Sequence, residues 1–201
     1  MLKEQTLVSS FTNGLNGLLN VPGDKSISHR SLIIAGMAIG QTEISGLLRS
    51  EDVLSTLFAM RQLGVTIEDD LDKNVITVKG VSTCGFYSPD KPLDLGNSGT
   101  GVRLLMGAIA GQPLTASLTG DVSLSARPMR RITEPLQRMG AQIGYLPKNE
   151  EKGLLPVTIT GANPALSLSY STQVASAQIK SAIMLAGLNA RGVTIISEPY
   201  I

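Results

Sequence analysis

Hydrophobic and polar positions along this chain switch between a helical and a strand rhythm. Apolar residues recur at helical spacing from Ser26 to about Ile39, where Gly40 is placed to end the helix. The strand-like run Thr42-Glu43-Ile44-Ser45-Gly46 follows. Val53, Leu54, Leu57, Met60 and Leu63 then predict an amphipathic helix over 51–63, with Ser50 as N-cap and Gly64 just past the end. Two short strands, 65–67 and 75–78, close this stretch. The same succession begins again at Asn97-Ser98-Gly99-Thr100-Gly101. A helix runs through Arg103 to Ile109, a strand covers 114–119, a helix covers 127–139 up to Gly140, and strands cover 141–143 and 156–159. A third round opens at Ser176, runs helically to Leu188, turns at Arg191-Gly192 and enters a strand over 193–197.

A helix–strand–helix–strand–strand unit used twice and begun a third time is a fold-level signal. It predicts an α/β chain of the α+β repeat type, with three units packing their helices into a shared core and their sheets outside. The third unit lacks its second helix and last strands. The expectation is therefore a fragment, or one half of a split protein, ending at Ile201.

Composition narrows the partners. Seventeen basic against 16 acidic residues give a net charge of +1, and aromatics are 3% with no Trp. Neither a basic field nor a stacking platform for nucleic acid is present. One Cys and one His cannot make a zinc site, and a single Cys84 fits a reducing compartment as a small apolar filler. No apolar run is long enough to span a bilayer and the N-terminus lacks a signal-peptide pattern, so a cytoplasmic protein is expected.

The chemistry gathers where the helices begin. Val21-Pro22-Gly23-Asp24-Lys25-Ser26-Ile27-Ser28-His29-Arg30 puts a Pro-Gly turn, a lysine, two serines and an arginine at a helix start. There the backbone N–H groups and the helix dipole already favour an anion. Asn97-Ser98-Gly99-Thr100 and Ser176-Ala177-Gln178 open the other two units in the same small, polar way, and Arg127 adds a planar donor fork. Any one of these clusters alone also reads as a solvated helix cap or a Gly-rich turn. His29 reads as a structural hydrogen-bonding residue, Arg103 as an ion-pair residue beside the site, and 148–152 as a charged turn.

Five of these stretches, in order, resemble the 5-enolpyruvylshikimate-3-phosphate synthase family. They are Pro22-Gly23-Asp24-Lys25-Ser26-Ile27-Ser28-His29-Arg30, Leu95-Gly96-Asn97-Ser98-Gly99-Thr100-Gly101-Val102-Arg103, Gly120-Asp121 with Ala126-Arg127-Pro128-Met129, Ser176-Ala177-Gln178-Ile179-Lys180, and Ser197-Glu198-Pro199-Tyr200. The sister family, the UDP-N-acetylglucosamine enolpyruvyl transferases, does not carry the Pro-Gly-Asp-Lys-Ser motif. The resemblance implies an inside-out barrel domain from residue 21 onward, with residues 1–20 belonging to an opposite domain. It implies transfer of the enolpyruvyl group of phosphoenolpyruvate to the 5-hydroxyl of shikimate 3-phosphate, with no metal or organic cofactor. Lys25 would touch both substrates, chiefly as an electrostatic group that could also serve in proton transfer. Ser26, Arg30 and Ser176 would hold shikimate 3-phosphate, with Ser197 a weaker candidate. Gly99 and Arg127 would hold phosphoenolpyruvate, in a loop shaped by Asn97 and Thr100. Gln178 would sit between the two substrates. Gly99, lacking a Cβ, would leave room for mimics such as glyphosate. The family's remaining acids and bases come from a C-terminal half, so this chain is expected to need that half for turnover. The alternative is a non-catalytic anion-binding remnant, or a split subunit that pairs with a separate C-terminal chain.

Overall fold

The computed structural model describes residues 6–199. Residues 6–22 carry no helix or strand and are exposed, including Leu7, Phe11, Leu15 and Leu18. The first unit comprises α1 (Lys25–Met37), β1 (Ile39–Ser45), α2 (Glu51–Gln62), β2 (Thr66–Asp70) and β3 (Val75–Val81). A two-residue strand, β4 (Leu93–Asp94), leads into α3 (Gly99–Ala110), β5 (Thr115–Thr119), α4 (Val122–Ser125), α5 (Arg130–Arg138), β6 (Gln142–Tyr145), α6 (Pro147–Glu150) and β7 (Val157–Thr160). Then come β8 (Ala165–Leu166), β9 (Ser169–Ser171), α7 (Ala177–Gly187), β10 (Ala190–Arg191) and β11 (Ile195–Ser197).

Strand order is the same in the two larger sheets. In β1-β3-β2 and in β5-β7-β6, the last strand of the unit lies between the other two and pairs antiparallel with both. β4 adds to the free edge of β5 in parallel, and β9 pairs in parallel with β11 in the third unit. Each short strand thus precedes a helix and pairs with the strand that follows it.

The helices form the interior. Leu104, Leu105, Met106 and Ile109 of α3 are fully buried, and the helix is apolar nearly all round, as a central helix must be. Gly107 and Gly111 let α3 lie against the backbone of α7 at Ala182 and Ala186. Their matching order along both helices makes α3 and α7 parallel, and Thr100 beside Gln178 confirms it at the N-terminal end. α1 runs the same way, with Arg30 beside Ser181 and Ile33 sharing a cleft with Leu185.

Several local expectations are corrected. α1 ends at Met37 because Ala38 is already extended (φ −77°, ψ 172°) and Ile39 pairs with Val81; Gly40 is a strand residue with φ +96°. The predicted helix over 127–139 begins only at Arg130, as α5. Asp121 caps the separate turn α4, and Arg127 lies between α4 and α5, held out of a continuous helix by Pro128. Ser50 sits at the start of α2 but makes no capping bond, and its buried hydroxyl has no partner. The charged stretch at 148–152 overlaps the short turn α6, which starts one residue earlier at Pro147. The third unit's strand covers only Ile195–Ser197. Cys84 is exposed, its thiol 3.4 Å from Asn189 Oδ1, so it fills no core.

Candidate functional site

The N-termini of α1, α3 and α7 meet at one end of the molecule, and each start is fixed by its own sequence. Asp24 caps α1, its carboxylate accepting from Ile27 N at 2.7 Å. Gly23 passes so close to the carbonyl of Gly46 that a Cβ has no room there, which places the Pro-Gly turn against the end of β1. Ser28 ties the first turn down, donating to Asp24 O at 2.7 Å and accepting from Leu48 N at 3.0 Å. Ser98 caps α3 through Gly101 N at 3.1 Å, and Ser176 caps α7 through Ile179 N at 3.4 Å.

Side chains then stitch the three starts together. Arg30 donates to Ser181 Oγ at 2.8 Å and to Ala177 O at 3.5 Å, joining α1 to α7. Gln178 donates to Thr100 Oγ1 at 3.1 Å, joining α7 to α3. His29, fully buried, joins α1 to α2 through Thr56 Oγ1 at 2.8 Å and reaches Ser98 Oγ at 3.5 Å. Thr56 passes its own proton to Asp52 O at 3.4 Å, so the chain of partners assigns the His29 proton to Nδ1. Burial, then the nearby Lys25 ammonium, holds the His29 pKa down to about 4. The expected structural role of His29 is the one it has here.

Lys25 is half exposed and forms an ion pair with Asp52 on the first turn of α2. Ser26 is exposed beside it. Arg127 donates to Asn97 Oδ1 at 2.7 Å and Ser123 Oγ at 3.3 Å. A Cβ built on Gly99 would lie 2.9 Å from Arg127 Nη1 and 3.0 Å from Arg103 Nη1, so the glycine sits between two guanidinium groups. Arg103 corrects its expected ion-pair role. It donates to Gly99 O at 2.9 Å and has no acid partner among the described residues. Its pKa is lowered by burial and by the like charges of Arg127 and Arg131. Ser197 lies in β11, where its carbonyl accepts from Thr172 N at 2.9 Å. Tyr200 lies outside the described residues.

Lys25, Ser26, Arg30, Gly99, Arg127, Ser176 and Gln178 therefore share one end of the helix cluster. The sequence reading gave no role to two acids there, Asp52 and Glu198. Asp52 carries no linear signal, since only the packing of α2 on α1 brings it to Lys25. Glu198 follows β11 and accepts from Ser176 N at 3.2 Å and Lys180 Nζ at 2.6 Å, and the Lys180 bond is the main cause of its lowered pKa. No group of three or more metal-ligating side chains occurs among the described residues, and no described helix is long and apolar enough to cross a membrane.

Three parallel helices place like dipole ends side by side, which is unfavourable unless an anion sits there. The face collects four cationic side chains, Lys25, Arg30, Arg103 and Arg127, and is open rather than enclosed. It suits small molecules carrying several phosphate or carboxylate oxygens.

Known proteins carry the same pattern. The profile of the family described as EPSP synthase (3-phosphoshikimate 1-carboxyvinyltransferase) matches residues 11–201. A 3-phosphoshikimate 1-carboxyvinyltransferase of Rhodopseudomonas palustris (strain BisB5) is 54% identical over 184 residues, covering 92% of this chain and 40% of that protein. One of Nitrobacter hamburgensis is 54% identical over 187 residues, with 92% and 41% coverage. A solved EPSP synthase of Acinetobacter baumannii superposes with a TM-score of 0.86 at 46% identity, over 92% of this chain and 41% of that one. The chain thus spans about 40% of the length of the curated relatives it matches. With a family match over nearly its whole length, and the family's motifs meeting at one end of a helix cluster, this chain belongs to the EPSP synthase family.

Proposed function

We propose that this chain forms the N-terminal part of the substrate cleft of a 3-phosphoshikimate 1-carboxyvinyltransferase, acting in the shikimate pathway of aromatic amino acid biosynthesis. The observation that carries this reading is the convergence of three parallel helix N-termini with Lys25, Arg30 and Arg127. Both substrates are polyanions, and holding two of them side by side requires cations and N–H donors between them.

In this reading Ser26, Arg30 and Ser176 hold shikimate 3-phosphate. Gly99 and Arg127 hold phosphoenolpyruvate, and Gln178 stands between the two. Lys25 contacts both. Protonation of phosphoenolpyruvate at C3 leaves positive character at C2, which the 5-hydroxyl of shikimate 3-phosphate attacks. Expulsion of phosphate from the resulting tetrahedral carbon, together with loss of one proton from the C3 methyl, then forms the enol ether, and the proton of the attacking 5-hydroxyl passes to a base of the completed site. Phosphate leaves through a face whose fixed charges favour it, while the developing cation needs a carboxylate close by. Asp52, paired with Lys25, and Asp121, bonded to Asn97, are two acids this chain offers at that face. The remaining acids and bases are assigned to a C-terminal half.

The architecture proposed for the whole domain is an inside-out barrel of three units. The shared order of the two larger sheets and the recurring parallel strand before α3 and α7 support it. Residues 1–20 are proposed to pack on an opposite domain. The exposure of Leu7, Val8, Phe11, Leu15, Leu18 and Leu19 suits a segment that is buried elsewhere. A cytoplasmic location and catalysis without metal or organic cofactor complete the reading.

The test is phosphate release from phosphoenolpyruvate and shikimate 3-phosphate, with this chain alone and mixed with a C-terminal half from a related enzyme. Release only in the mixture is expected. A folded chain inactive in both would favour the anion-binding remnant, and turnover by the chain alone would overturn the two-part site.

A further inference from the structure

The cations of the site meet their acids in two different ways. Lys25 pairs directly with Asp52. Arg127 makes no ion pair among the described residues, and the nearest acid in its network, Asp121, reaches it through an amide. Asn97 Nδ2 donates to Asp121 Oδ2 at 2.8 Å, and Asn97 Oδ1 accepts from Arg127 Nη2 at 2.7 Å. Asp121 is itself pinned. Its Oδ1 accepts from Leu124 N at 2.7 Å, capping α4, and its backbone N donates to Gly96 O at 2.9 Å.

Polarity makes this arrangement one-way. An ionised carboxylate only accepts, so it turns the NH2 end of Asn97 toward itself and the oxygen toward Arg127. The guanidinium is thereby aimed without being neutralised, and its Nη1 stays beside Gly99. A direct Asp–Arg pair would orient the group equally well but would occupy the donors and the charge that an incoming anion needs.

We propose that Asp121 is a positioning residue that acts through Asn97 to hold Arg127 as an aimed, un-neutralised anion fork; that the anion is phosphoenolpyruvate rests on the function proposed above. The bonds from Leu124 N and Asn97 also keep the Asp121 carboxyl below the usual range, so it stays an acceptor throughout neutral pH. Asp121→Asn removes this polarity while keeping a capping oxygen for α4. The amide of Asn97 is then free to turn, presenting a donor to a donor.

The experiment is side-chain nitrogen relaxation on the isotopically labelled chain, followed by titration with phosphoenolpyruvate. The Arg127 Nε–Hε signal is identified by its loss in Arg127→Lys. It is expected to be ordered in the parent chain and mobile in both Asp121→Asn and Asn97→Ala, with unfolding temperatures close to the parent. Asn97→Ala leaves the α4 cap untouched, so it separates aiming from capping. Binding of phosphoenolpyruvate is expected to weaken about tenfold in both variants, the scale of one charge-assisted hydrogen bond. Arg127 equally ordered in all three chains would overturn the proposal, as would unchanged binding in both variants. A parent chain that ignores phosphoenolpyruvate, yet loses Arg127 order in both variants, would leave the aiming network standing and overturn the assigned ligand.

Discussion

At the scale of the residue, the site is governed by small groups that leave room and buried groups that stay neutral. His29 is the chain's single histidine, so its titration is read without assignment. Its pKa is lowered from 6.5 to about 4, which means that the folded state holds it neutral and the unfolded state protonates it first. This contribution is fully present above pH 6.5 and is lost as pH falls toward 4, by about 3 kcal/mol at pH 4. Denaturant unfolding at pH 7 and pH 4.5 is expected to show that loss, and His29→Asn is expected to flatten it. Gly99 tests room. A Cβ there meets the far ends of Arg127 and Arg103 at 2.9 and 3.0 Å and touches Leu124 Cδ1 at an ordinary 3.9 Å, so Gly99→Ala is expected to fold normally. The displaced guanidinium groups are expected to weaken phosphoenolpyruvate and glyphosate binding by about tenfold in a completed enzyme. Isothermal titration checks it, and unchanged affinity for both would remove Gly99 from the site. Lys25 and Arg30 were legible at this scale because a cluster of polar residues interrupts the hydrophobic rhythm at a helix start, and Arg127 because it offers a planar donor fork. Arg103 was legible as a nearby cation but not as an unpaired one, because pairing depends on what folds beside it.

At the scale of the element, α3 and α7 decide the geometry of the mouth. Gly107 and Gly111 face Ala182 and Ala186 one helical turn apart, and this brings the two N-termini to the same level. A Cβ at Gly107 would come within 2.6 Å of the Ala182 backbone, which has no flexible end to move aside. Gly107→Ala is expected to destabilise the chain by about 2–3 kcal/mol, measured by thermal unfolding. It is also expected to break the Gln178–Thr100 bond, so phosphoenolpyruvate binding falls with it. The helical period in 99–110 was plain from the sequence, but the need for glycine at 107 was not, since its partner lies on a helix 75 positions further along. The break at Arg127 shows the reverse case. The apolar spacing across 127–139 predicts one helix, whereas α5 begins only at Arg130, after Pro128. Ahead of it, Asp121 caps the separate turn α4.

At the scale of the whole molecule, one gap stands out in the ring of helices. α2 lies against α1 and α3, and α5 lies against α3 and α7, while the cleft between α7 and α1 has no helix over it among the described residues. That cleft has a volume of about 350 Å³, and Ile34, Met184 and Leu188 on its walls are 54%, 58% and 59% exposed. An apolar surface of this kind attracts hydrophobic probes. Binding of 1-anilinonaphthalene-8-sulfonate is expected for the chain alone, and it is expected to fall in the double variant Ile34→Ser, Met184→Ser and on mixing with a C-terminal half. Fluorescence insensitive to both would show that the cleft is closed in solution.

The sequence by itself determined the main helices and strands and the cluster of small polar and cationic residues at the helix starts. These rest on local periodicity, on capping residues and on residue types that are costly to place without purpose at a helix start. Only the tertiary structure decided which acids answer which bases. Asp52 with Lys25, Asp121 with Arg127 through Asn97, and Glu198 with Lys180 are each made by packing distant or differently oriented segments together. A charge acts over ångströms rather than along the chain, so its partner is fixed by the fold and leaves little trace in the linear pattern.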